Sequence, residues 1–200
     1  MNTSEYLDRL LLHYSGTFNI YQPYVINGKE YPYYGLFYNC TEKYVLVREV
    51  NMWSSKSFEH ILFMEAEELT DEIYQEADEI IRTYMEPVLV RKNEKLPEEN
   101  HMYSYLNVVI VCKKPISKEL AKKLKKYHFE KGYNFNMRGY SQGSIMCVSL
   151  DDEKYISNYY GRTKKKMFLQ VFNDVKENKP GFTQVIREKG IEPFKQEFPS

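Results

Sequence analysis

The stretch Tyr103 to Cys112 constrains this chain most. Its second half, Leu106 to Cys112, is apolar except at Asn107. A strand with that pattern has no consistently wet face, so it belongs near the middle of a sheet with cover above and below. It is also far shorter than the roughly 20 residues that span a bilayer, and no longer apolar run occurs, so no membrane partner is expected.

The elements around it can be read from spacing. Leu7, Leu10, Leu11 and Tyr14 lie on one face of a helix that Ser4 could cap. Asn27-Gly28 is a hairpin turn signal. Tyr34 to Asn39 and Lys43 to Val50 read as paired strands, residues 54–57 as a loop, and Phe58 to Glu65 as another strand. Thr70 caps a helix whose stripe is Ile73, Ala77, Ile80, Ile81 and Tyr84, and Pro87 is expected to end it before a short strand. Ser117 caps a helix built on Leu120 and Leu124. Tyr133, Phe135 and Met137 alternate with polar residues as in a half-buried strand, with Ser144 to Leu150 as partner. Lys154 to Ser157 is a further short strand. Thr163 reads as the cap of a helix carrying Phe168 and Phe172, and Phe182 to Lys189 as a last helix. Strands cluster by hairpins, so the expected fold is α+β: a mixed, mostly antiparallel sheet with helices packed on it. The expected organisation is one domain over residues 1–178, with a short helix and tail over 179–200.

Cysteines at 40, 112 and 147 form no C-x-x-C pair, which argues against a disulfide framework and a zinc ribbon. With no secretory pattern at Met1 to Tyr6, a cytoplasmic setting is expected. Gly139-Tyr140-Ser141-Gln142-Gly143 matches G-x-S-x-G, but no histidine follows Ser141, so the serine, acid, histidine order of an α/β-hydrolase cannot be met. The glycines are read as serving a tight turn. His60 reads as a satisfied core histidine, and His101 as unpaired in a polar loop.

The segment Met102 to Val111, the lysine-rich stretch after it, Phe135 to Ser141, and Val148-Ser149-Leu150 together resemble a family of uncharacterised bacterial proteins from Firmicutes, classed as a domain of unknown function. The resemblance spans roughly residues 1 to 175. It implies a bacterial cytoplasmic setting and brings no activity, cofactor or catalytic residue.

Charge supplies the main functional hint. The chain has 28 Lys and Arg against 28 Asp and Glu, so a uniformly charged binder is excluded. The balance hides a split. Residues 59–86 hold ten acids and one base, while residues 113–166 hold fourteen bases and five acids. The first expectation is therefore a non-enzymatic domain that meets an anionic partner, nucleic acid or an acidic protein surface, through Lys118, Lys122, Lys125, Lys126, Arg138, Arg162, Lys164, Lys165 and Lys166. Pairing of the acidic and basic regions within the fold or between subunits of a homo-oligomer would use the same charges. The alternatives are a divalent-metal hydrolase or nuclease using Glu49, Glu65 or Glu67, and a small-ligand pocket lined by Tyr34, Phe37, Tyr38 and Trp53. No cofactor is expected.

Overall fold

The structure, a computed structural model, describes residues 1–43 and 53–196. Helix α1 (Thr3–Ser15) leads into strands β1 (Asn19–Tyr21), β2 (Tyr24–Ile26), β3 (Lys29–Tyr31), β4 (Tyr33–Lys43) and β5 (Trp53–Ala66). Helix α2 (Asp71–Glu79) continues through wider π-type turns over Ile80–Val90. Then come β6 (His101–Cys112), α3 (Lys118–Lys126), β7 (Phe129–Gly132), β8 (Tyr140–Ser149) and β9 (Lys154–Ser157). A 3-10 turn (Tyr160–Lys164) opens α4 (Lys165–Lys176), and α5 (Phe182–Lys189) follows.

The fold is α+β. Its main sheet runs in the order β1-β4-β5-β6-β8-β7, with β9 beside β7 on the same flank of β8, and β2-β3 forms a small sheet of its own. Pairing is antiparallel except at the centre, where β5, β6 and β8 are parallel. Strand β6 is the buried middle strand that its apolar run predicts. Because side chains alternate across a strand, Leu106, Val108, Ile110 and Cys112 enter one core with Ile81, Leu120 and Leu124. Val109 and Val111 enter the other, with Leu7, Leu10 and Phe168. Helices α2 and α3 thus cover one face, and α1, α4 and α5 the other. Among the described residues, no helix is long and apolar enough to cross a membrane.

Several local expectations change. Residues 54–57 are part of β5, and residues 44–52, which include most of the expected strand Lys43 to Val50, lie outside the described residues. Pro87 does not end the helix. A wider turn accommodates its missing N–H and its ring, with Arg91 N–H donating to the Glu86 carbonyl at 3.3 Å. Asn2 caps α1 in place of Ser4, its side chain accepting from Glu5 N–H at 2.7 Å. Tyr133 to Arg138 is a loop, with Asn134, Phe135 and Asn136 in left-handed conformation at φ 48°, 53° and 65°. Gly139 closes that loop at φ +76°, where a Cβ would lie 2.2 Å from the Met102 carbonyl oxygen. The G-x-S-x-G residues that follow lie inside β8, not in a turn.

Beyond residue 179 the chain returns to α1. Phe182 is buried beside it, and Thr183 donates through its N–H and hydroxyl to Asp8 at 2.8 and 2.7 Å. A second clasp joins α1 to α4: Asp174 accepts from His13 at 2.8 Å, Lys179 at 2.9 Å and Gln170 at 3.1 Å. Burial pushes the Asp174 carboxyl up, but these donors outweigh it and hold it at about 2, below the usual 3.8. A depressed carboxyl stabilises the fold above its unfolded pKa and loses that contribution as pH falls through its folded one. We expect Asp174→Asn to cost about 2 kcal/mol at neutral pH in urea unfolding, and the difference from the unsubstituted chain to vanish near pH 2.

Candidate functional site

Five rows of side chains cross β5, β6 and β8 on the face that carries α1 and α4, and their chemistry changes along the strands. Two rows, Phe63-Val109-Met146 and Glu65-Val111-Val148, are apolar apart from Glu65 and lie toward the helices. Ile61-Asn107-Ser144 mixes apolar and polar groups. Glu59-Tyr105-Gln142 and Ser57-Tyr103-Tyr140 are polar and aromatic. Where the polar rows begin, a cavity of about 530 Å³ opens, lined by Glu59, Tyr105, Asn107 and Gln142 from the strands and by residues 159–164. That volume suits a small molecule.

Asn158 fixes the wall of this cavity. It is fully buried, accepts from the Ser144 hydroxyl at 2.8 Å and from Gly161 N–H at 3.3 Å, and donates to the Gly143 carbonyl at 2.9 Å. Gly161 allows the 3-10 turn to sit against β8, since a Cβ there would lie 2.7 Å from Ser144 Oγ. The turn delivers Lys164 to Glu59, whose Oε1 accepts from Lys164 Nζ at 2.7 Å and from Asn107 Nδ2 at 2.9 Å. Lys164 also lies 5.6 Å from the centre of the Tyr14 ring. Tyr103 packs against Tyr105 at 4.8 Å and stacks on Tyr140 at 6.2 Å. Burial first, then Tyr140 beside it, pushes the Tyr105 phenol up to about 12, so it is a neutral hydrogen-bonding group at ordinary pH. Tyr159 is 70% exposed at the rim, with the Arg162 guanidinium 5.6 Å from its ring centre.

The basic residues singled out by sequence do not form one patch. Arg162 and Lys164 line the cavity, and Arg162, Lys165 and Lys166 line a shallow groove that continues from it along α4. Lys118, Lys122, Lys125 and Lys126 lie on α3, which packs on the opposite face of the sheet. Arg138 belongs to the loop before β8 and meets Glu99 at 3.7 Å. Part of the charge split is neutralised internally, through Lys123–Asp71 at 2.5 Å, Lys114–Glu68 at 3.4 Å and Lys131–Glu86 at 3.0 Å. Arg162, Lys165 and Lys166 have no ion pair among the described residues.

The metal alternative finds no cluster. Glu65 accepts from Ser4 at 2.9 Å, Glu67 is exposed past the end of β5, and Glu49 lies outside the described residues. Among the described residues, no three His, Cys, Asp or Glu come together to hold a metal.

The tyrosine pocket exists in altered form. Tyr34 and Tyr38 project on the α2 side of the sheet and Phe37 on the other, where it packs on Phe18 at 5.7 Å. Tyr34 instead joins Tyr21, Tyr24 and His60 in a cavity of about 500 Å³. His60 is not satisfied: its Nδ1 pairs with the Tyr34 hydroxyl at 2.6 Å, while Nε2 has no partner among the described residues. His101 is not unpaired. It begins β6, is buried, and bonds through Nδ1 to the Arg138 carbonyl at 3.0 Å and through Nε2 to Ser104 at 2.8 Å. Ser141 shares a hydrogen bond of 2.8 Å with the Tyr133 hydroxyl, in a buried network ending on Glu86.

The structure is thus an α+β domain with a polar and aromatic cavity on one face of a mixed sheet, bordered by cations that have no ion pair among the described residues. By sequence the chain belongs to the family described as Domain of unknown function (DUF8052), which matches residues 2–170. No curated protein and no solved structure matches it.

Two predictions follow from these contacts. Lys164→Met leaves the Glu59 carboxylate with one of its two donors, and should lower stability by about 1–3 kcal/mol; adding Glu59→Gln should recover part of the loss in a thermal-unfolding cycle. Burial, with His101 nearby, pushes the His60 imidazole down to about 3. The unfolded chain takes up that proton near pH 6.5 and the folded chain does not, so stability should fall by up to about 1.4 kcal/mol per pH unit below 6.5. His101, also lowered by burial, acts in the same direction. In His60→Phe the slope measured by urea unfolding should be shallower.

Proposed function

We propose that this domain binds single-stranded nucleic acid, or its nucleotide unit, without catalysis, in the bacterial cytoplasm. The observation that carries the reading is the union, at one cavity, of tyrosine rings, hydrogen-bonding side chains and a cationic rim. A base can stack on Tyr105 or on the exposed Tyr159, as bases do on aromatic platforms. Its edge can meet Gln142, Asn107 and the Glu59 carboxylate, groups that donate to and accept from base edges. Its phosphates can meet Arg162, Lys165 and Lys166, which carry no ion pair among the described residues.

Fluorescence anisotropy with a single-stranded 12-mer across a salt series tests this. Three phosphate contacts imply that log K falls against log salt with a slope of about −2. Arg162→Ala should reduce the slope by roughly 0.7, whereas Tyr105→Ala should weaken binding about tenfold at every salt concentration. A mononucleotide arm separates strand binding from nucleotide binding. Absence of binding at low salt, or equal displacement by polyglutamate of matched charge, would contradict the reading, the second result in favour of an acidic protein surface.

A further inference from the structure

On the opposite face of the sheet lies the second cavity, of about 500 Å³, and its chemistry is different. Its walls are rings: Tyr24 and Tyr34 stack at 4.2 Å, and Tyr34 and Phe58 flank the His60 imidazole at 6.2 and 6.1 Å, close to parallel with it. The charged groups at its edge are Lys92, Glu98 and Lys195, and Glu98 pairs with Lys56 at 2.6 Å and with Lys92 at 3.7 Å. The wall is therefore mainly aromatic, and its charges lie only at the edge.

One polar atom breaks it. His60 is 4% exposed, and its Nε2 has no hydrogen-bond partner among the described residues. The tautomer follows from Tyr34. A phenol donates more readily than it accepts, so its hydroxyl, 2.6 Å away, donates to Nδ1 and leaves the ring's single N–H on Nε2. A buried N–H without an acceptor is unfavourable, so this atom selects for a molecule that brings one.

The roof is a separate segment. Phe194 N–H donates to the Ile20 carbonyl at 2.8 Å, and Gln22 N–H donates to the Phe194 carbonyl at 3.1 Å. The Phe194 ring packs on Tyr21 at 5.5 Å. The Gln196 amide accepts from Val25 N–H at 2.7 Å and donates to its carbonyl at 3.0 Å. These residues lie beyond the span that the family matches.

We propose that this roofed cavity is a second binding site, for a flat aromatic molecule whose carbonyl or ring-nitrogen acceptor takes the hydrogen bond from His60 Nε2–H. The site is on the other face of the sheet from the nucleotide cavity and does not depend on that reading.

Two probes of similar shape test it: quinolin-2-one, which carries the acceptor, and naphthalene, which does not. Affinities are measured on the full chain by NMR titration, with the imidazole nitrogens of His60 followed in a ¹⁵N-labelled sample. Quinolin-2-one should bind at least tenfold more tightly than naphthalene and shift the Nε2–H signal downfield. In His60→Phe the preference should collapse to about one. Should that variant fail to fold, Tyr34→Phe, which keeps the imidazole and releases its tautomer, should lower the preference by the same readout. Equal affinity for the two probes, no binding of either at its solubility limit, or an undiminished preference in both variants would overturn the proposal.

Discussion

Strand β6 is paired along most of its length on both sides and buried against helices on both faces. Each of its side chains must therefore commit to one layer or the other, and the alternation of the strand decides which. The parallel register of β5, β6 and β8 then places like-numbered positions in rows. That register puts Glu59 beside Tyr105 and Tyr105 beside Gln142, so three side chains of different chemistry meet on the strands and residues 159–164 complete the cavity. Helices cover the apolar rows because those rows have to be kept from water. The polar rows can stay open, and there the cavity forms.

The two cavities follow from the same alternation and differ because the two faces differ. On the α4 side, Glu59 is held by Lys164 and Asn107, and cations without ion pairs among the described residues stand at the rim. On the α2 side, the cross-strand neighbour of Leu106 is His60, set among tyrosines and phenylalanine, with Lys92, Glu98 and Lys195 at the cavity's edge.

Much of the fold is legible in the sequence. Leu7, Leu10, Leu11 and Tyr14 face the core as their spacing predicts, Thr70 and Ser117 cap their helices, and Asn27-Gly28 turns its hairpin. The failures have local physical causes. Pro87 is accommodated by a wider helical turn, and Phe135 alternates like a strand residue but sits in a left-handed loop that Gly139 closes. The site is less legible. Arg162 and Lys164 stand out by charge, yet Asn107, Tyr105 and Gln142 gain meaning only when the parallel register sets them beside Glu59. One signal is present in the sequence: on one face of β6, Tyr103, Tyr105 and Asn107 precede Val109 and Val111, a polar-to-apolar change along a single strand. Asn158 carries no such mark, because its role depends on a turn returning to β8.

The most direct measurement of the central claim is amide and side-chain shift mapping on addition of a single-stranded oligonucleotide. Perturbations should be confined to Glu59, Tyr105, Asn107, Gln142 and residues 159–166. Perturbations centred on Lys118, Lys122, Lys125 and Lys126 of α3, with residues 159–166 unmoved, would contradict it.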